Sequence, residues 1–98
     1  MNCNQAVICG KLIEIVGPRY TPAGVTVAEF KISHLSRQIE AGKPRQVECE
    51  IPAVALAQMA ETIVGIAPGT KVKLTGFLVK KSRMSSQLVL HVNTIDLI

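Results

Sequence analysis

Three cations stand close together near the end of the sequence, with no acidic neighbours. Lys80, Lys81 and Arg83 fall within four positions, and no Asp or Glu occurs from Thr62 to Ile95. The chain up to Glu61 has six cations and six acids, so the formal net charge of +4 arises entirely from the remainder. Surfaces without a polyanionic partner normally intersperse carboxylates among their cations. The cluster therefore favours an anion-binding loop, with a long polyanion as the ligand, over a loop that is merely solvated.

A second group of cations lies in the polar stretch from Ser36 to Arg45. This stretch contains Arg37, Lys43 and Arg45 and separates two segments in which polar and apolar residues alternate. Alternation of this kind is typical of half-buried strands. The stretch is therefore predicted to be a hairpin loop, the second place where cations gather on a loop.

A third candidate surface is the segment from Gly17 to Gly24. Its two prolines and two glycines favour a loop over a regular element, and this loop would carry Arg19 and Tyr20 to the surface. Tyr20, Phe30 and Phe77 are the only aromatic residues, so recognition cannot depend on many stacking rings. Tyr20 could offer one stacking platform, or it could only pack its own loop.

Residues suited to catalysis or metal binding are scarce. No Ser/His/Asp or Cys/His arrangement and no phosphate-binding glycine loop is suggested, and His34 is predicted to be a structural imidazole, hydrogen-bonded at a strand end. The cysteines Cys3, Cys9 and Cys49 are odd in number and lack metal-ligand spacing. Cys9 and Cys49 are predicted to be small core residues. The sequence thus predicts a protein that is not an enzyme and uses no cofactor or metal.

Length and composition predict one packed domain spanning residues 1–98. The chain is 48% hydrophobic, which is enough apolar material for a core and argues against disorder. No apolar run approaches the roughly 20 residues of a membrane span, and the first residues lack the features of a signal peptide. A cytoplasmic location without membrane association is expected.

The elements that must position these cations are mostly strands. The patterns predict a bent strand from Ala6 to Val16, followed by strands at Val25–Leu35 and Gln46–Ile51, the second of which is ended by Pro52. A short helix or helical turn is predicted within Ala53–Val64. Two further strands flank the basic loop, with Phe77 in a packing role and a bend near Asn93 and Thr94. The bend in the first strand is expected at Gly10 and just after Leu12, where the apolar parity slips. Five strands with one helix between the third and fourth is the order of the all-β OB-fold, a small barrel that holds single strands.

Several short segments resemble bacterial single-stranded-DNA-binding proteins and, more closely, the PriB family of primosomal replication proteins. The segments are Thr21–Gly24, Phe30 and His34, Glu40–Gly42, Arg45-Gln46, Cys49, Ile51-Pro52, Ala60-Glu61, Gly69–Leu78, Val89–Val92, and Ile95, Leu97 and Ile98. The resemblance runs from about Gln5 to Ile98. It implies a homodimer of OB-folds that binds single-stranded DNA and contacts the primosomal helicase and other primosome proteins.

The resemblance also assigns residues to the DNA surface. It implies that DNA contacts Lys80, Lys81 and Arg83 between the last two strands, and Lys43 and Arg45 between the second and third. In the best-known branch of the family two aromatic residues occur where this chain has Lys43 and Glu48. The alternative function is therefore a protein-interaction adaptor whose DNA binding is weak or secondary.

Overall fold

The computed structural model describes residues 2–98, which form five strands and one short helix. The elements in chain order are β1 (Ala6–Tyr20), β2 (Thr26–Glu40), β3 (Lys43–Leu56), α1 (Gln58–Val64), β4 (Lys71–Lys80) and β5 (Leu88–Leu97). The strands close into a barrel in the order β1-β2-β3-β5-β4. The predicted all-β, five-stranded OB-fold, with its helix between the third and fourth strands, is confirmed.

Strand β1 closes the barrel because it pairs with two neighbours. Its first part, from Ala6 to Lys11, pairs with β4, and its second part, from Lys11 onwards, pairs with β2. A Cβ atom on Gly10 would lie 2.4 Å from the Ser33 carbonyl oxygen, so only glycine allows this close approach. Beyond it, Glu14 has a positive φ of 51° within a register shift. The predicted bend of the first strand is confirmed.

The segment from Gly17 to Gly24 was predicted to be a loop, and this was wrong for the first four residues of the segment, which belong to β1. Strand β1 continues to Tyr20, which pairs with Thr26. Gly17 and the cis peptide before Pro18 are accommodated by a second register shift, between Val16 and Arg19. Irregular residues can lie within a strand where a bulge interrupts its ladder, which is why the glycine and proline do not end β1.

The polar stretch from Ser36 to Arg45 is also not the predicted loop. Strands β2 and β3 remain paired as far as Glu40 and Lys43, and only Ala41 and Gly42 form the turn. Their φ angles of 52° and 77° are those of a two-residue turn whose twist matches that of the flanking strands. The cations of this stretch are therefore held on a paired ribbon.

This ribbon extends beyond the barrel. Strand β1 pairs with β2 only from Ser33 towards the start of β2, and β5 pairs with β3 only at Ala53 and Val54. Residues 34–49, called the arm below, thus have β2–β3 pairing but no third strand beside them. Pro52 lies inside β3 and does not end it as predicted, because β3 has no second neighbour before Ala53.

The core lies inside the barrel and is closed by α1. The largest fully buried side chains are Leu12, Ile32, Ile63, Leu74, Leu90 and Val72. Phe30 is 3% exposed, as predicted for a core residue. Cys9 and Cys49, by contrast, are exposed and the prediction that they are core residues was wrong. Cys9 lies on the outward parity of β1, and Cys49 lies on the arm, which has no layer packed over it.

Strands β4 and β5 form the hairpin that ends in the basic loop. Thr75 pairs with Thr94 and Gly76 with Val92, so Asn93 is an extra residue in β5. This bulge confirms the bend predicted near Asn93 and Thr94. Next to it, the rings of Phe77 and His91 stack with centroids 5.4 Å apart, in agreement with the packing role expected for Phe77.

Candidate nucleic-acid interface

The basic loop connects β4 to β5 and is held at its base by hydrogen bonds. Lys80 forms the last strand pair with Leu88, and the Lys81 amide donates a hydrogen bond to the Gln87 carbonyl oxygen at 2.8 Å. The Gln87 amide in turn donates to the Ser85 hydroxyl oxygen at 3.0 Å. The barrel therefore determines where the cations of this loop are presented.

The three cations predicted to bind an anion are all exposed. Lys80, Lys81 and Arg83 take part in none of the ion pairs between residues 2 and 98. Met84, next to Arg83, is 97% exposed. An approaching anion would therefore meet positive charges that form no ion pair with a carboxylate among residues 2–98.

The arm places its cations on two opposite faces. Arg45 pairs with Gln38 and Lys43 with Glu40. Directly paired residues share a face of a sheet, and successive residues along a strand alternate between faces. Lys43 and Arg45 therefore share one face, whereas Arg37 projects from the other. The sequence grouped these three cations, but the structure divides them.

The cations of the arm also differ in their electrostatic surroundings. Arg45 forms an ion pair with Glu40 in which both side chains are exposed. Lys43 and Arg37 join none of the ion pairs described for residues 2–98. Within the arm, Lys43 and Arg37 are the cations left without a carboxylate partner in the described chain, and Arg45 is partly neutralised.

Tyr20 and Arg19, at the end of β1, are also placed differently from one another. The Tyr20 side chain is 67% exposed, which leaves its ring accessible. The Arg19 Nη2 atom lies 3.2 Å from Glu29 Oε1. The accessible ring keeps Tyr20 as a candidate stacking platform, whereas Arg19 is already engaged.

The outer face of β1, β2 and β3 forms a shallow cleft of about 450 Å³, and Lys81 from the basic loop also lines it. Within this cleft the Lys31 Nζ atom lies 3.2 Å from Glu14 Oε2 and 4.0 Å from Glu50 Oε1. The cations of the strand face are therefore compensated by carboxylates. The uncompensated positive charge lies mainly at its border, on the basic loop.

Glu48 is exposed on the arm and lies directly opposite Leu35. Leu35 is 64% exposed, and Ile39, on the same face, is 73% exposed. Arg37 is the cation of this face. The position at which the best-known branch of the resembled family has a stacking ring is thus occupied by a carboxylate opposite the exposed aliphatic side chain of Leu35.

One pair of cations was missed by the sequence analysis. Lys11 on β1 and Lys71 on β4 are directly opposite each other, and both are exposed. The alternation of β4 indicates that Lys71 and Lys73 face outward, but no local sequence signal shows which residue of β1 faces them. Their register depends on how the barrel closes.

His34 lies within β2 and is held by two hydrogen bonds. The His34 Nδ1 atom donates a hydrogen bond to the Cys9 carbonyl oxygen at 2.7 Å, and its Nε2 atom lies 2.8 Å from the Ser36 hydroxyl oxygen. The hydrogen bonds agree with the predicted structural imidazole, but its predicted position at a strand end was wrong, because β2 continues to Glu40. In the part of the chain that the structure describes, no three potential ligands are grouped to hold a metal ion. No helix between residues 2 and 98 has the length and apolarity needed to cross a membrane.

Comparisons with known proteins agree with this geometry. Residues 4–94 match a family model described as another single-strand binding protein family. The replication restart protein PriB of Nitrosomonas europaea is 52% identical over 92 residues, which cover 94% of this chain and 85% of that protein.

Solved structures of similar proteins also match this fold over nearly the whole chain. The structure of PriB from Ralstonia solanacearum is 35% identical, with a TM-score of 0.87, and the match covers 97% of this chain and 98% of that one. A small single-stranded DNA-binding protein from Streptomyces coelicolor is 18% identical with a TM-score of 0.74, covering 100% of this chain and 95% of that one. The latter likeness supports the fold alone.

Proposed function

The chain belongs to a single-strand binding protein family and to the PriB replication restart proteins, and on that basis we propose that it binds single-stranded DNA during replication restart. The observation that carries this proposal is the basic loop, whose Lys80, Lys81 and Arg83 are exposed and lack carboxylate partners among residues 2–98. Phosphate contacts supply most of the affinity of sequence-independent binding. We further propose that the protein acts in the cytoplasm, and that it acts by binding and not by catalysis.

The proposed DNA surface runs from the basic loop towards the arm. Lys80, Lys81 and Arg83 form its main phosphate contacts, with Lys43 and Arg45 contributing from one face of the arm. Arg37 contributes from the opposite arm face, and Tyr20 offers a ring at the end of β1. The cations of the strand face are already paired with carboxylates, which leaves few phosphate contacts there. Glu48 offers no ring on which a base could stack. The expected affinity for DNA is therefore modest.

The experiment is fluorescence anisotropy of a labelled single-stranded oligonucleotide at several salt concentrations, with duplex DNA for comparison. If about four phosphates are contacted, the slope of log K against log salt is near −3, at about 0.7 per contact. The variant K80A/K81A/R83A flattens the slope by about 2. A slope unchanged in that variant would contradict the assignment of the loop.

A control variant separates local contacts from the effect of net charge. Gln58, Thr62 and Ala67 are exposed on α1 and just beyond it, and the substitutions Q58E/T62E/A67E remove the same three units of positive charge. This variant, called the helix control below, keeps a slope close to that of the original protein. An equal loss in both variants would indicate a general charge effect and not a binding loop.

The second candidate function is that of a protein-interaction adaptor that binds the primosomal helicase, with DNA binding weak or secondary. Two observations favour it: the exposed aliphatic pair Leu35 and Ile39 beside Glu48, and the compensated strand face. A homodimer fits either function. A pull-down with the helicase that persists after nuclease treatment supports the adaptor, and a pull-down lost on nuclease treatment counts against it.

A further inference from the structure

The outer face of the β1–β4 sheet carries a second cluster of cations. Lys11 and Lys71 are direct cross-strand partners, which places their Cβ atoms about 4.5–5.5 Å apart. Lys73 follows two positions later on β4, so it projects from the same face. All three side chains are exposed. This set is called the sheet cluster below.

The sheet cluster is electrostatically unfavourable unless an anion covers it. Like charges directly opposite each other destabilise a sheet. Arg19, Lys31 and Arg45 all have carboxylate partners. By contrast, none of the ion pairs between residues 2 and 98 includes a member of the sheet cluster. No ion pair with a carboxylate among residues 2–98 therefore offsets the repulsion between Lys11 and Lys71.

Two carboxylates lie near the sheet cluster and must be counted against it. Asp96 on β5 is the direct partner of Lys73, yet the two form no ion pair in the described structure. Glu48 lies on β3 and lines, with Lys11 and Lys71, the cleft where β1 and β2 separate. Counting both carboxylates against the three lysines leaves a net charge of about +1, so the surface is still positive.

The sheet cluster and the basic loop lie at opposite ends of one strand. Lys71 begins β4 and Lys80 ends it, and at about 3.3 Å per residue the two ends are roughly 30 Å apart. Along a duplex each strand advances about 3.4 Å per nucleotide, so at that spacing roughly nine nucleotides span this distance, and an unstacked single strand spans it with fewer. A short oligonucleotide can therefore occupy one cluster only, whereas a long one can reach both.

We propose that Lys11, Lys71 and Lys73 form a second phosphate-binding site, which a long single strand of DNA occupies together with the basic loop. This inference rests on the proposed function, because it extends the same ligand to a different face of the barrel. The contact is with phosphates and reads no bases. Its consequence is a binding affinity that rises with strand length beyond what the basic loop alone provides.

The test uses labelled oligothymidylates of about 4 and about 30 nucleotides, lengths chosen well below and well above the span between the clusters. Anisotropy titrations at several salt concentrations compare the original protein, K11Q/K71Q/K73Q and the helix control. For the long strand, the lysine variant loses about 2 units of salt slope, at about 0.7 per phosphate contact. For the short strand its slope stays within about 0.5 of the original, because the basic loop supplies the contacts at that length.

The outcomes separate this inference from the function on which it rests. A lysine variant that binds the long strand with the original slope overturns the second site, while binding by the original protein leaves the proposed function standing. Failure of the original protein to bind either strand overturns both. Equal losses in the lysine variant and the helix control also overturn the second site. Circular dichroism spectra matching the original protein confirm that the variants are folded.

Discussion

Glu40 and Arg45 form an ion pair beside the turn of the arm, on the face that also carries Lys43. An exposed ion pair contributes little to stability, typically below about 1 kcal/mol. It nevertheless places a carboxylate next to a cation that is proposed to contact phosphates. Glu40 is therefore expected to weaken DNA binding by the arm more than it stabilises the fold.

Removing the Glu40 charge should strengthen DNA binding. In Glu40→Gln, Arg45 becomes available to a phosphate, so we expect a higher affinity at low salt and a salt slope steeper by about 0.7. The measurement is an anisotropy titration against Glu61→Gln, which makes the same charge change on α1. An equal gain in both variants would show that net charge, and not the release of Arg45, is responsible.

Placing an aromatic ring at position 48 should also strengthen binding. Glu48 is exposed on the arm opposite Leu35, and stacking of a base on a ring contributes about 1–3 kcal/mol. Glu48→Trp is thus expected to raise the affinity for a single strand about five- to a hundred-fold. Glu48→Gln separates the loss of the carboxylate from the gain of the ring. Equal affinities of the Trp and Gln variants would mean that no base reaches this face.

Tyr20 is expected to serve DNA binding more than stability. Because its side chain is 67% exposed, Tyr20→Ala should change Tm little while lowering affinity about five-fold or more, in line with the loss of one stacked base. Tyr20→Phe keeps the ring and should keep the affinity. A lower Tm with unchanged DNA binding would instead assign the ring to packing of its turn.

Gly76 is expected to be essential to the β4–β5 hairpin. A Cβ atom at this position would overlap the backbone carbonyl of His91, so Gly76→Ala must displace backbone. We expect a loss of about 1–3 kcal/mol, which lowers Tm by at least about 5 °C for a chain of this size.

The control for Gly76 is another glycine of the same chain. Gly65 has a helical φ of −84°, and a Cβ atom there would have no neighbour closer than 3.5 Å. Gly65→Ala should therefore leave Tm unchanged or slightly raised. If thermal unfolding shows the two alanine variants to be equally stable, the close approach at Gly76 is not a constraint on the fold.

Local patterns predicted most of the fold because the alternation of buried and exposed residues is a local property. The core position of Phe30, the double pairing of β1 and the bulge at Asn93 all followed from such patterns. The polar stretch of the arm from Ser36 to Arg45 was harder, because it buries no face and its alternation carries no apolar signal. Its strands are recognisable only from the pairing that continues to the Ala41–Gly42 turn.

The candidate site was predictable only in part, for the same reason. The basic loop is a cluster in sequence, so its location at the end of the β4–β5 hairpin followed directly. The separation of Arg37 from Arg45 depends on strand parity within an unexpected ribbon, and the meeting of Lys11 and Lys71 depends on barrel closure. A contact between residues 60 positions apart, such as that between Lys11 and Lys71, gives no signal in the sequence around either residue.

The double pairing of β1 also determines the order in which the barrel can be completed. The second half of β1 pairs with β2, which is synthesised within about 20 residues of it. Ala6, however, can pair only after Gly76 has been synthesised, and Lys11 can pair with β4 only after Lys71 has been synthesised. At a synthesis rate of about 5–20 residues per second, the first half of β1 stays unpaired for roughly 3–14 s after it is made. Such long-range closure slows folding. During that interval the nascent chain presents Val7 and Ile8 on an open strand edge, where chaperones or neighbouring chains can pair with it.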